Sequence, residues 1–529
     1  MAITTKAKDV AIIIAVSGVT TLNVFLTGSL TVALPTIGKD LNFKQADLQW
    51  PINVYALSYG CLLLLFGRVG DIIGGRTMFL VGSIWFTIWS IATAFAPNDT
   101  AFIIFMALKG MGAAANTPAA IGLCSSCFPE GPSRNKAYSA LGAGQAIGFI
   151  MGLVLGGVLT ETRATWRSLF YIQAGLGALF VLLGFLVLPK DRAIRRYSKG
   201  LDWGGALLST TGLGLLTYSL ADSAIAPKGW SSPQIPSLLT VSVLILGAFL
   251  YYERWRESKN LSVLIPLSMW RQPGAKMGSL VALVFFAWWS FNTLSYFMTL
   301  YYQQVVLLVP LQTSLRFIPM AISGLFANVL SGYFMTKVPG QLLMLIGLVG
   351  GGISPILFAL IDVKLTYWAM GFPIAVLIVW NDVAYPLGNL QIASAFDEDS
   401  QSLAGGVFNV ATRIATSIGL AITSSIATSV SERYNAQHPT LAPDSPEVLM
   451  VGFRAAGWTC FAASAISVLI AIFGMRGIGK VGQMKSHSSL QEGPHDISMG
   501  DIKLDSDGNS GSRGPGVEIK QSEEIIVIA

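Results

Sequence analysis

Gly67-Arg-Val-Gly-Asp-Ile-Ile-Gly-Gly-Arg76 is a short charged break between two long apolar runs, and the reading of the chain starts from it. Gly67, Gly70, Gly74 and Gly75 permit a tight reversal. Arg68, Asp71 and Arg76 need water, phosphate headgroups or one another. A turn between two soluble strands would need far shorter flanks. The flanks here match the ~20 residues that cross a hydrocarbon core, so the stretch reads as a cytoplasmic hinge between two membrane helices.

Composition agrees. Hydrophobic residues make up 53% of the 529-residue chain and charged residues 12%, with a mean hydropathy of +0.61. That leaves too little polar surface to solvate several soluble domains. The net charge of +6 is spread over many short loops rather than gathered in one patch, which favours a membrane surface over nucleic acid. Cys61, Cys124, Cys127 and Cys460 lie in or beside apolar runs, so no disulfide framework is expected. Cys124 and Cys127 form a single Cys-x-x-Cys, two ligands short of a zinc site, so neither metal nor cofactor is expected. The first apolar stretch runs on to Leu34 and is longer than a signal-peptide core, so no cleavable signal is expected.

Ending apolar windows at charges, Pro and Gly clusters gives fourteen spans. Six lie near 10–34, 50–67, 77–97, 101–127, 137–160 and 167–189, two near 203–222 and 235–252, and six near 277–304, 312–336, 341–361, 367–394, 404–430 and 448–475. With the amino terminus inside, loops and tails on that side carry 23 of the 34 Lys and Arg residues, against seven in outside loops. This bias places both termini, and the opening hinge, in the cytoplasm. The basic run from Lys190 to Asp202 and the polar stretch from Glu253 to Lys276 read as connectors. The expected organisation is a cytoplasmic amino terminus (1–9), a six-helix bundle (10–189), a linker with two extra helices (190–276), a second six-helix bundle (277–475) and a disordered cytoplasmic tail (476–529). Asn98-Asp-Thr100 is a glycosylation sequon in a very short outside loop.

Together with Thr31-Val-Ala-Leu-Pro-Thr-Ile37, Trp166-Arg-Ser-Leu-Phe170 and Asp399-Ser-Gln-Ser-Leu-Ala-Gly-Gly406, the Gly67–Arg76 loop resembles the signature of the major facilitator superfamily. Within it the chain is similar to the fungal fourteen-span drug:proton antiporters. The resemblance covers roughly residues 10–475 and implies an all-α membrane fold of six plus two plus six helices. It assigns Gly67, Arg68, Gly70, Asp71, Gly75 and Arg76 to a conformational motif. Asp71 would meet the start of the thirteenth span near Ser402 to Gly405, where free N–H groups favour an anion. The equivalent loop of the second half, Gly332-Tyr-Phe-Met-Thr-Lys337, has Thr336 where the acid would stand.

Span five carries Gly144, Gly148, Gly152 and Gly156 at intervals of four, a face that lets another backbone approach closely. This resembles the family's antiporter motif, although Leu153 replaces its Pro, and close packing alone would also explain the stripe. Under the motif reading span five closes against span ten at Ala321, Gly324 and Gly332. Lys109 lies about 12 Å into span four. A lysine facing lipid would cost roughly 2.5–3.5 kcal/mol there, so it should face a watery interior or a partner, or snorkel to the interface. Asp382, about 22 Å from the outer end of span twelve, stands four residues before Pro386, which cannot donate to its carbonyl. Burial would raise its carboxyl pKa, so Asp382 and Lys109 are the candidates for proton or substrate coupling, with a structural hydrogen bond as the rival role for Asp382.

In the family fold spans one, four, nine and twelve line the cavity, which selects Asn23, Thr27, Asn116, Trp288, Asn292, Tyr296, Tyr385 and Asn389. The mix suits a neutral or weakly charged amphipathic organic molecule. The acid that many relatives carry in the first span is Leu26 here, and His438, His487 and His495 lie outside the spans, so proton coupling is implied by the resemblance alone. The expectation is a monomeric, proton-coupled exporter of small organic molecules in the lipid bilayer, most naturally the plasma membrane, with a vacuolar or other vesicle membrane as the alternative. A proton-linked importer and a non-transporting sensor or scaffold are the rivals. No HExxH, nucleotide loop or histidine cluster points to an enzyme.

Overall fold

The computed structural model describes residues 5–476 apart from 44–49, 130, 163–164, 192–199, 224–228, 272–275, 336, 396–400 and 444. The expected disordered tail lies outside the described residues. Regular structure among the described residues is entirely helical. In order come α1 (Thr5–Asp40), α2 (Trp50–Ile73), α3 (Gly75–Ala94), α4 (Asp99–Cys127), α5 (Pro132–Glu161) and α6 (Arg167–Val187). Then follow α7 (Trp203–Ser223), α8 (Gln234–Ser258), α9 (Met277–Leu300), α10 (Pro310–Phe334) and α11 (Gly340–Ala359). The last are α12 (Gly371–Ile378), α13 (Ala384–Ala395), α14 (Gln401–Gln437) and α15 (Pro446–Phe473). A 3₁₀ turn, Val379–Val383, follows directly on α12 and joins it to α13 just before Pro386. There the missing proline N–H leaves the ladder open and the helix tightens.

Among the described residues, thirteen helical segments are long and apolar enough to cross a membrane. Fourteen were expected, and α7 is the one that falls short. Its buried face is built of small residues, among them Gly205, Ala206, Ser209 and Gly212, and it packs on α8, α2 and α14. A helix shielded by protein needs less apolar surface than one facing lipid. α8 shows the opposite composition, with Leu244 67% and Tyr251 76% exposed on an apolar outer face that suits hydrocarbon rather than water.

The opening stretch turns over a shorter distance than its sequence suggests. α2 runs on through Gly67, Arg68, Gly70 and Asp71 to Ile73, and Gly74, at φ 102°, makes the reversal alone before α3 begins at Gly75. Only Gly74 needs the conformation that L side chains avoid. Asp191, just past α6, caps the new helix. Its carboxylate accepts from the Arg76 N–H at 2.9 Å, the Thr77 N–H at 3.0 Å and the Thr77 hydroxyl at 2.7 Å. Arg76 in turn donates to the Phe185 carbonyl at 2.9 Å. A helix N-terminus has free donors and a partial positive charge, so an acid from a distant segment is well placed there. At the opposite end of these helices Asp40 pairs with Arg167 at 3.2 Å and accepts from Trp166 Nε1 at 2.9 Å. Asn98 caps α4 by accepting from the Ala101 N–H at 2.9 Å.

α1 packs on α4, α5 and α6, α2 on α3 and α4, and α3 on α4 and α6. In the second part of the chain α9 packs on α14 and α15, α11 on α12 and α15, and α10 on α12. The two sets meet where α5 lies on α10 and where α14 crosses α2 and α4. The glycine stripe of α5 faces α1, not α10, which corrects the expected arrangement. A Cβ at Gly152 would sit 2.8 Å from the Ser29 nitrogen, and one at Gly156 2.9 Å from the Ser29 carbonyl oxygen. Gly144 and Gly148 similarly press on Thr21. The stripe therefore brings two backbones of the same set into contact. α5 meets α10 with another face, where Ala146 lies against Gly324 and Ser139 against Gly332. Ala321 is also buried.

Candidate transport site

Where the two sets of helices meet near mid-length they enclose a cavity of about 40 Å³, room for a few water molecules. Thr20 and Asn23 of α1, Tyr59 of α2, Thr117 of α4 and Gln145 of α5 form one wall. Trp288 of α9, Tyr385 of α13 and Asn409, Thr412 and Arg413 of α14 form the other. Each wall is held by its own hydrogen bonds. Asn23 Nδ2 donates to Asn116 Oδ1 at 2.9 Å, and the Tyr59 and Thr117 hydroxyls lie 2.8 Å apart. Across the cavity Tyr385 donates to Asn409 Oδ1 at 3.2 Å, and Asn409 Nδ2 to the Gly405 carbonyl at 2.9 Å. Trp288 and Tyr385 face each other with ring centroids 5.6 Å apart.

One contact bridges the walls with charge. The Arg413 guanidinium lies over the Tyr59 ring, 4.3 Å from its centroid, and its Nε is buried with no hydrogen-bond partner among the described residues. Cation–π attraction holds the pair, since the ring face is negative. The stem of Arg413 passes Gly60, where a Cβ would lie 3.6 Å from it.

Of the eight residues that sequence reading selected for the cavity, Asn23, Trp288 and Tyr385 line it. Asn116 and Asn389 stand one layer behind, the latter donating to the Tyr385 carbonyl at 3.0 Å. Asn292 donates to the Trp288 carbonyl at 3.1 Å, while Thr27 and Tyr296 are exposed away from it. Asp382 sits half-buried in the 3₁₀ turn, off the cavity wall. Its neighbours in that turn pack on α10 and α11, Val379 against Gly324 and Trp380 against Gly350. Lys109 is also off the wall. It is fully buried between α3, α4 and α6, where Nζ donates to Gln173 Oε1 at 2.6 Å and lies 4.7 Å and 5.0 Å from the ring centroids of Phe170 and Phe86. Gln173 Nε2 passes the bond on to the Leu22 carbonyl at 2.9 Å.

Asp71 is half-buried near the end of α2. The side chains of Ser402 and Leu403, its expected neighbours, lie outside the described residues. Beyond them Gly405 packs on Ile121 of α4, and a Cβ at Gly406 would lie 3.4 Å from the Leu63 carbonyl oxygen of α2, so the start of α14 rests on both helices. In the second-half loop Thr336 is outside the described residues, and Lys337 donates to the Tyr333 hydroxyl.

The model of the Major Facilitator Superfamily matches residues 16–420. The chain belongs to that superfamily. Over 530 aligned residues this facilitator is 32% identical to "MFS-type transporter 1" of Pyricularia oryzae, covering 91% of this chain and 86% of that protein. It is 30% identical to "Puromycin resistance protein pur8" of Streptomyces alboniger, covering 85% and 87% of the two chains. The crystal structure of the human organic anion transporter MFSD10 superposes with a TM-score of 0.59 at 12% identity, covering 88% of this chain and 99% of that one, a likeness of fold. Its relatives are transporters rather than enzymes, and several are efflux or drug-resistance proteins.

Sequence reading missed Tyr59, Gln145, Asn409 and Thr412, because it took cavity residues from four helices while α2, α5 and α14 also reach the centre, and it read Arg413 as a deep charge pairing inside the bundle without assigning it to the cavity. Arg413 carried a usable signal. It lies about 18 Å along α14, and an ionisable residue at that depth is a functional candidate by default.

Proposed function

We propose that this facilitator exports small organic molecules across the plasma membrane by alternating access, as a monomer driven by the proton gradient. The chain would cross the bilayer fourteen times, as six plus two plus six helices with both termini in the cytoplasm. Two six-helix halves, residues 10–189 and 277–475, would rock about the central cavity, and the pair in 190–276 would brace α2 and α14 from outside. The observation that carries this reading is the cavity itself, which takes its walls from both halves, so a relative tilt would open it to one side at a time. Outward direction is supported by the names of the efflux and resistance relatives. Asp382 is the proposed proton carrier, set where the broken helix frees backbone as well as a carboxyl. An electrical term of ~2.3 kcal/mol per charge per 100 mV is enough to bias the cycle.

The test is flux in proteoliposomes under an imposed pH step, comparing wild type with Asp382→Asn across a panel of drugs and dyes. Loss of gradient-driven flux with binding retained supports Asp382 as the carrier, and undiminished pumping by the variant removes it from that role. Accumulation in inverted vesicles supports export; accumulation only in right-side-out vesicles makes the protein an importer.

A further inference from the structure

We infer that the central cavity selects organic anions, amphipathic molecules that carry a carboxylate or sulfonate beside an aromatic or apolar body, and that Arg413 is the residue that reads the charge. The inference rests on the transport reading above and names its substrate class. Three observations support it. Among the described residues lining the cavity, Arg413 is the one charged side chain and no acid stands beside it. Its present partner is a ring rather than a carboxylate, the Tyr59 face at 4.3 Å, and its Nε is buried with no hydrogen bond among the described residues. The remaining wall supplies aromatic faces from Trp288 and Tyr385 and neutral amides from Asn23, Gln145 and Asn409.

A guanidinium whose Nε is buried without a hydrogen bond is under-satisfied by one aromatic face, and its planar fork matches a carboxylate or sulfonate in two parallel bonds. A cationic ligand would meet that same guanidinium at close range with no acid to offset the repulsion. The aromatic walls would take the ligand's apolar body by stacking. The closed cavity is smaller than such a ligand, so occupation goes with parting of the walls. Arg413 then exchanges Tyr59 for the anion, which ties ligand charge to a charged contact between the halves.

Binding of radiolabelled benzenesulfonate to the purified full chain tests this, with benzenesulfonamide as neutral isostere and benzyltrimethylammonium as cation. Wild type is expected to bind the sulfonate roughly 10–100-fold more tightly than the sulfonamide, as a charge-assisted pair would give. Arg413→Gln is expected to bind the two equally weakly, and Arg413→Lys to restore part of the preference. Size-exclusion profiles report whether each variant folds; should Arg413→Gln fail to, the wild-type ranking and Arg413→Lys decide. Tighter binding of the cation, or a sulfonate preference unchanged in Arg413→Gln, overturns the anion assignment while leaving transport standing. Failure of wild type to bind or carry any panel member, while a drug or dye is pumped, also overturns it. Absence of flux for every compound, drugs and dyes included, brings down the transport reading and the inference with it.

Discussion

Lys109 and Arg413 both place a cation deep among membrane helices, and the two sites solve that problem differently. Lys109 is fully enclosed and satisfied, with Gln173 as hydrogen-bond acceptor and two phenylalanine faces beside its ammonium. Arg413 is half-buried on a cavity wall, rests on one ring of the opposite wall and keeps a buried Nε without a hydrogen bond. A cation whose partners all belong to one set of helices stabilises that set. One whose best partner belongs to the other set, beside a cavity, is free to change partners when the walls part. Depth in the membrane identifies both as costly, and the surroundings tell structure from function.

The largest effect is expected at the enclosed cation. Lys109→Ala leaves the Gln173 oxygen without its donor and a void between Phe86 and Phe170, for a loss of about 3–5 kcal/mol. Thermal unfolding followed by size exclusion should show it, whereas Arg413→Ala should stay within about 1 kcal/mol because its site already holds space. Equal losses at the two positions would break the contrast. Next comes the α1–α5 crossing, which holds Leu22 where Gln173 reaches it. Gly148→Val pushes a side chain into the Thr21 backbone and should cost about 1–3 kcal/mol by the same measurement. Asp191→Ala removes the cap of α3, with an expected loss of about 0.5–2 kcal/mol. A smaller effect than the lost cap is expected from Tyr59→Phe, which keeps the ring beneath Arg413 and loses only the contact with Thr117, a change of about 0.5–1.5 kcal/mol by the same measurement.

Much of the helical plan was legible, because long apolar runs leave few alternatives and most charged breaks fall between them. α7 was the hard case for hydropathy, since its small and hydroxylated residues face protein. The hinge looked longer than it is, because Gly67 and Gly70 continue a helix and only Gly74 takes a positive φ. Sequence spacing gave the glycine face of α5 but not its partner, since a stripe of small residues fits any neighbouring backbone and only the fold selects α1. Lys109 and Arg413 were both visible as intramembrane charges. Which of them meets a cavity depends on the rotation of each helix and on neighbours far away in sequence, Gln173 in one case and Tyr59 in the other.

The central claim is that the two sets of helices move against each other about the cavity, and a reversible link between them tests it most directly. Gly157 of α5 abuts Leu311 of α10. Cysteines at these two positions, with Cys61, Cys124, Cys127 and Cys460 replaced, can be joined by a short thiol crosslinker in proteoliposomes. The account predicts that flux stops on linking and returns on cleavage of the linker. Undiminished flux through the fully linked protein would contradict it.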